Sequence, residues 1–243
     1  MRMLAFAKRN FKEIIRDPLN LAFLFGFPLV LLLLLSAIQA NIPIEMFEIA
    51  HLSPGVAVFG LAFMTLFSAT LIAKDRQSSL MHRLYTTPMT SLDFILGYTL
   101  PLIPIALMEG VVTFAMAVIL KLSVTVHTLA AILFLIPVAL LYIAIGLLCG
   151  SLLNDKQVGG ICGALLTNLS AWLSGIWFDL DLVGGAFKSI AYLLPFVHAV
   201  DMERAVISGN YATAFSHFWW VMGYAIVTFS LAVFAFLRRM KKQ

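Results

Sequence analysis

Residues 74–90 read Lys74-Asp75-Arg76-Gln77-Ser78-Ser79-Leu80-Met81-His82-Arg83-Leu84-Tyr85-Thr86-Thr87-Pro88-Met89-Thr90. This short polar, basic stretch lies between two long apolar runs. A plain turn would need far fewer residues. Leu80, Met81 and Leu84 recur at i, i+1 and i+4, while Arg76, His82 and Arg83 supply polarity, the pattern of a small amphipathic helix. Pro88 ends it, because proline lacks the amide donor and clashes with the preceding turn. Between two membrane spans, such a helix offers a handle to a soluble partner.

The surrounding composition supports that setting. Of 243 residues, 62% are hydrophobic and 12% charged, and the mean hydropathy is +0.99. A soluble chain carries about a quarter charged residues. Apolar runs of about 20 residues suffice to cross a hydrocarbon core of about 30 Å. The expected fold is therefore an all-α polytopic membrane protein, with residues 1–243 forming a single transmembrane domain. Six transmembrane helices are predicted, near 19–39, 54–73, 94–119, 129–150, 158–178 and 214–236. Asp17-Pro18 and Ser53-Pro54 each put a capping side chain before a proline at the first helical position. Thr90 or Ser91 can cap the third span, with Asp93 in its first turn. An alternative reading of the first run as a cleaved signal peptide is disfavoured by its length and by the residues that precede it.

Basic residues set the orientation. With six spans, Arg2, Lys8, Arg9, Lys12, Arg16, Lys74, Arg76, Arg83, Lys156, Arg238, Arg239, Lys241 and Lys242 share one side, against Lys121, Lys188 and Arg204 on the other. The positive-inside rule then puts both termini in the cytoplasm, 74–93 with them, and 179–213 outside. The pI near 9.2 has this explanation and does not indicate nucleic acid.

Two further segments lie outside the spans. Residues 1–16 carry Leu4, Ala7, Phe11, Ile14 and Ile15 at helical spacing beside five basic residues, and predict an interfacial helix on the bilayer. Residues 182–209 predict two external re-entrant helices. The first is apolar but too short to span and is broken by Pro195; the second, near 198–208, pairs Asp201 with Arg204 and stops at Gly209-Asn210.

Catalytic and metal-site patterns are missing. There is no phosphate loop of the form G-x-x-x-x-G-K-[ST] and no H-E-x-x-H. Cys149 and Cys162 read as small packing residues, and Gly146/Gly150 and Gly159/Gly163 as sites of close helix approach. The aromatic clusters Trp172/Trp177/Phe178 and Phe218/Trp219/Trp220 read as an interfacial belt. Glu109 is the only acidic residue deep inside a predicted span. An intramembrane carboxylate is costly unless neutralised or paired, so Glu109 reads either as a transport residue or as an interhelical polar contact.

The chain resembles the type-2 permease family of ABC exporters, which includes drug, polysaccharide and antibiotic exporters. The family pattern runs acidic-Arg-Glu-Ser-Gly-Thr-Leu-x-Arg-Leu-x-x-Thr-Pro, followed after one residue by Ser or Thr. Asp75, Arg76, Ser78, Arg83, Leu84, Thr87, Pro88 and Thr90 match it, and Gln77, Ser79, Leu80 and Met81 depart from it. Leu194-Pro195 with Ala199, Arg204 and Gly209 resembles the family more weakly.

The resemblance implies a bacterial plasma-membrane permease subunit that is not itself an enzyme and holds no cofactor of its own. ATP and magnesium would bind separate ABC ATPase subunits, and a second permease chain would complete a homodimer or heterodimer. It also implies that 74–90 is a cytoplasmic coupling helix, with Asp75, Arg76, Ser78, Leu80, Arg83, Leu84, Thr87 and Pro88 at the ATPase interface. The implied function is export of a drug, antibiotic, lipid-like or other amphipathic substrate. Two other functions fit the residues: a non-transporting resistance or sensor protein, and a proton-coupled carrier using Glu109.

Overall fold

The computed structural model describes residues 2–42, 45–78 and 90–240. Helices and turns account for the described residues, with no β-strand among them. Helix α1 (Arg2–Ile15) is followed by α2 (Pro18–Asn41), which contains a wide-wound π stretch at Ala22–Gly26. A 3-10 turn (Glu45–Phe47) leads into α3 (Ile49–Gln77). Next come α4 (Ser91–Thr99), α5 (Leu102–Ile119) and α6 (Val126–Leu152). The α7 segment combines Asp155–Val158, a π stretch at Gly159–Leu166, and Thr167–Trp172. Short helices α8 (Leu180–Val183), α9 (Gly185–Leu193) and α10 (Pro195–Ile207) precede the last long helix, α11 (Tyr211–Met240).

Five helices among the described residues are long and apolar enough to cross a membrane: Pro18–Asn41, Ile49–Gln77, Leu92–Ile119, Val126–Leu152 and Tyr211–Arg238. The segment expected at 158–178 differs. Its helix runs from Asp155 to Trp172 and is widened by the π stretch, so it advances less per residue. Gly175 then takes φ +71°, a left-handed conformation that takes the chain out of the helix before Phe178.

The local start signals were mostly followed. Asp17 accepts from Asn20 N with Pro18 in the first turn, and Thr90 and Asp93 form a reciprocal capping box. Ser53-Pro54 does not start α3. The carbonyl of Glu48 already accepts from Leu52 N, so the helix begins at Ile49 and Pro54 lies inside it. Pro195 opens α10 instead of merely breaking the chain before it, and Gly209 at φ +77° ends the turn that follows.

Helix α3 is the centre of the bundle and is lined with buried residues over most of its length. Its closest partner is α6. A Cβ added at Gly146 would lie 2.5 Å from the Thr65 carbonyl oxygen, and one at Gly150 would lie 2.6 Å from that of Ala69. With no side chain between them, the backbones come close enough for Thr65 Oγ1 to donate to Tyr142 O at 3.1 Å. Ser68 Oγ likewise reaches Ile143 O at 3.3 Å. Such contacts hold helices together where lipid removes the hydrophobic driving force. The second expected glycine pair is not used in this way: Gly163 touches Leu66, but Gly159 faces open space.

Helices α2 and α11 lie at the periphery. Leu19, Val30, Leu34, Trp219, Ile226 and Phe234 are all more than half exposed. Apolar surface of this extent calls for lipid or a partner helix.

Candidate functional site at the basic end of the bundle

Helix α1, the end of α3 that carries Lys74 and Arg76, the C-terminal end of α6 and the Arg238 end of α11 lie at one end of the molecule. Phe6 of α1 packs edge-on to Phe94 and Tyr98 of α4, and Phe94 also meets Phe236 of α11 at 5.9 Å. Gly97 makes room for Phe6, since a Cβ there would lie 2.4 Å from its ring. The buried face of α1 is thus Phe6, Ala7, Asn10 and Ile14. Leu4 and Ile15, expected on the same apolar face, are turned outward at 62% and 49% exposed. The helix has one face on protein, and these two side chains remain on the outer one.

Asp75 organises this end. Its Oδ2 accepts from Arg9 Nη1 at 2.6 Å and from Tyr98 Oη at 3.0 Å, joining α1, α3 and α4. Beside it, Asn10 Nδ2 donates to Gly97 O at 2.9 Å. Arg76 turns the other way: its Nη1 donates to Gly150 O at 2.6 Å and to Leu153 O at 3.2 Å, satisfying carbonyls at the end of α6. Ser78 caps α3, donating from Oγ to Asp75 O at 2.8 Å.

Of the eight residues the sequence proposes for a partner interface, three are therefore described, and Asp75 is one that packs inward. Leu80, Arg83, Leu84, Thr87 and Pro88 lie outside the described residues, as does most of the expected helix at 74–90. The described part of that stretch is the last turn of α3 and the cap of α4, so both ends of 79–89 attach to fixed helices.

Inside the bundle, Glu109 of α5 is fully buried. Its Oε1 accepts from Thr113 Oγ1 at 2.9 Å on its own helix, and it lies over Gly60 of α3, where a Cβ would be 2.1 Å from Oε1. Among the described residues Glu109 makes no hydrogen bond to a neighbouring helix, and its Oε2 has no hydrogen-bond partner. Sequence reasoning missed Glu203 of α10, which is also fully buried with neither carboxyl oxygen hydrogen-bonded among the described residues. Its place between Asp201 and Arg204 reads as exposed, yet Ala199, Val200, Val206 and Ile207 stand at i−4, i−3, i+3 and i+4 from it, an apolar face that is the signal for its burial.

At the opposite end, a cavity of about 510 Å³ is lined in part by Glu45, His51, Asp179, Tyr192, Asp201 and Arg204. Arg204 ties its wall together, donating to His51 O at 3.3 Å and Gly175 O at 3.1 Å and lying 4.0 Å from Asp201. Burial pushes the Arg204 guanidinium down and the Asp201 carboxyl up from their ordinary values. No group of three or more metal-ligating side chains occurs among the described residues.

The sequence profile of the ABC-2 type transporter family matches residues 1–208. The chain belongs to the ABC-2 type transporter family. No individual curated protein gives a significant match. Membership in the ABC-2 family makes this chain the membrane component of an ABC transporter, a multi-pass permease domain without an ATPase site of its own. It also implies association with ABC ATPase subunits.

Proposed function

We propose that this chain is the permease half of a bacterial ATP-driven exporter. Two permease chains, identical or paralogous, pair in the plasma membrane above two ATPase subunits that bind ATP and magnesium. Segment 155–178 serves as the sixth crossing, and both ends of the chain face the cytoplasm. The cargo is a drug, antibiotic, lipid-like or other amphipathic molecule.

The observation that carries this reading is the mounting of residues 79–89. One end leaves Ser78, directly after the Arg9–Asp75–Tyr98 cluster, and the other enters the Thr90–Asp93 capping box. Attachment to a helix at each end suits a segment to pass a rigid-body motion from the ATPase to the bundle. In the proposal this segment is the coupling helix: Leu80 and Leu84 seat in a groove of the ATPase, with Arg83, Thr87 and Pro88 beside them. Asp75 supports that helix from within. Arg76 and Ser78 hold the adjoining helix ends.

The test is Leu84→Asp in the complete transporter reconstituted in proteoliposomes. An uncompensated charge at a buried protein interface costs several kcal/mol. Membrane insertion should be normal, while ATPase binding and ATP-dependent substrate efflux are lost. Normal efflux by the variant would remove Leu84, and the coupling assignment, from the interface.

A further inference from the structure

His198 of α10 and His217 of α11 meet Nδ1 to Nδ1 at 2.8 Å. The second nitrogen of His198, Nε2, lies 3.0 Å from the carbonyl oxygen of Tyr192. A carbonyl can only accept, so His198 Nε2 carries a hydrogen. Neutral His198 therefore offers a lone pair at Nδ1, and neutral His217 donates to it from its own Nδ1.

The contact admits only some protonation states. With no added proton it is an ordinary N–H···N hydrogen bond. One added proton leaves a donor facing a lone pair and strengthens the bond by charge. A second puts a hydrogen on each Nδ1, so that two donors and two positive charges oppose one another. We propose that the His198–His217 contact is a proton-operated latch, holding α9 and α10 against α11 with no or one added proton and releasing them when the second binds.

The surroundings fit such a device. The His198 ring stacks on Trp220 of α11, with centroids 4.8 Å apart and planes 11° from parallel. Tyr192 of α9 meets it edge-on at 6.0 Å. Tyr224 of α11 donates to Leu193 O at 2.6 Å, a second tie between the same elements. On α10 itself, the Asp201 carboxylate favours a proton on His198, and Arg204 lies 4.0 Å from Asp201.

Other charged groups act from farther away. Asp179 interacts with Asp201, and the exposed ion pair of Lys188 and Asp181 lies near Tyr192. From α3, His51 contributes its carbonyl to Arg204, and from α6, Tyr142 stacks on Phe196. Burial pushes His198 below its ordinary value of 6.5, and the His217 charge opposes its protonation further. Two groups coupled this closely take up their protons in separate steps.

Trp220 reports on the latch, because an imidazolium in contact quenches indole fluorescence. The complete chain in detergent is titrated from pH 8 to pH 4, and the signal of Trp220→Phe is subtracted from that of the unaltered chain. Two steps should appear, separated by more than about 1 pH unit, with the second below 6.5. Hydrogen exchange in residues 195–207, corrected for intrinsic rates, should accelerate at the second step. His217→Gln should leave one step and abolish the acceleration, because the amide oxygen accepts from protonated His198. A single Trp220 step in the unaltered chain, or none, would overturn the latch even if His217→Gln failed to fold. So would a second step that persisted in His217→Gln.

Discussion

Arg9 and Asp75 lie 66 positions apart and meet at 2.6 Å, closing α1 onto the end of α3. The two partners are not equivalent. The Asp75 side chain is 4% exposed and that of Arg9 is 35% exposed, so each has a different environment to fall back on. Removing Arg9 leaves a buried carboxylate with Tyr98 as its remaining side-chain hydrogen-bond donor among the described residues. Removing the Asp75 charge leaves a guanidinium that water and Glu13 still reach. Arg9→Met should therefore cost about 3 kcal/mol, and Asp75→Asn, which keeps a Tyr98 contact, about 1 kcal/mol. The double variant should be more stable than the sum of the two losses. Thermal unfolding of the four proteins in detergent measures the coupling.

Gly146 and Gly159 should respond oppositely to alanine. At Gly146 the new methyl meets Ser68 Oγ at 1.8 Å and Thr65 O at 2.5 Å, and backbone cannot swing aside. Overpacking there should cost about 1–3 kcal/mol and disrupt the α3–α6 bonds. Gly159 has nothing within 4 Å, so Gly159→Ala should be neutral or stabilise by up to about 1 kcal/mol. Paired melting curves distinguish the two sites.

Glu109 can be tested for structural need separately from transport. Glu109→Gln keeps an acceptor for Thr113, and insertion and folding should be unchanged. Glu109→Leu also removes the unpartnered Oε2, while the Thr113 hydroxyl can turn to the carbonyl four residues back. Its melting temperature should match or exceed that of the unaltered chain. With folding preserved in both variants, efflux from proteoliposomes reads the role of the carboxyl alone. Loss of efflux in Glu109→Gln would assign it a charge-dependent part in transport.

Asp201 gives a pH prediction. Burial raises its carboxyl above the ordinary 3.8, outweighing the lowering by His217, Arg204 and His198. Above pH 3.8 the folded chain binds more proton at this position than the unfolded chain does. Stability from this group therefore falls as pH rises through the raised folded value, and the ionised carboxylate is a burden at neutral pH. Asp201→Asn should melt higher than the unaltered chain at pH 7, and the advantage should shrink as pH approaches 3.8. Melting curves across that range check the sign.

The sequence alone determined the membrane setting, because bilayer thickness imposes a run length that hydropathy displays directly. It also determined the caps at Asp17 and Thr90, whose hydrogen bonds stay within one helical turn. The charge asymmetry that gathers basic residues at one end was likewise visible in it. It marked Gly146 and Gly150 as points of close approach, but could not tell that pair from Gly159 and Gly163.

Only the tertiary structure decided that Asp75 binds Arg9 and Tyr98 and that His198 meets His217. The reason is physical. A spanning helix is apolar all round, so its periodicity does not say which face meets which neighbour. The pairing of faces is fixed by packing between helices, and these contacts exist only once that packing is set.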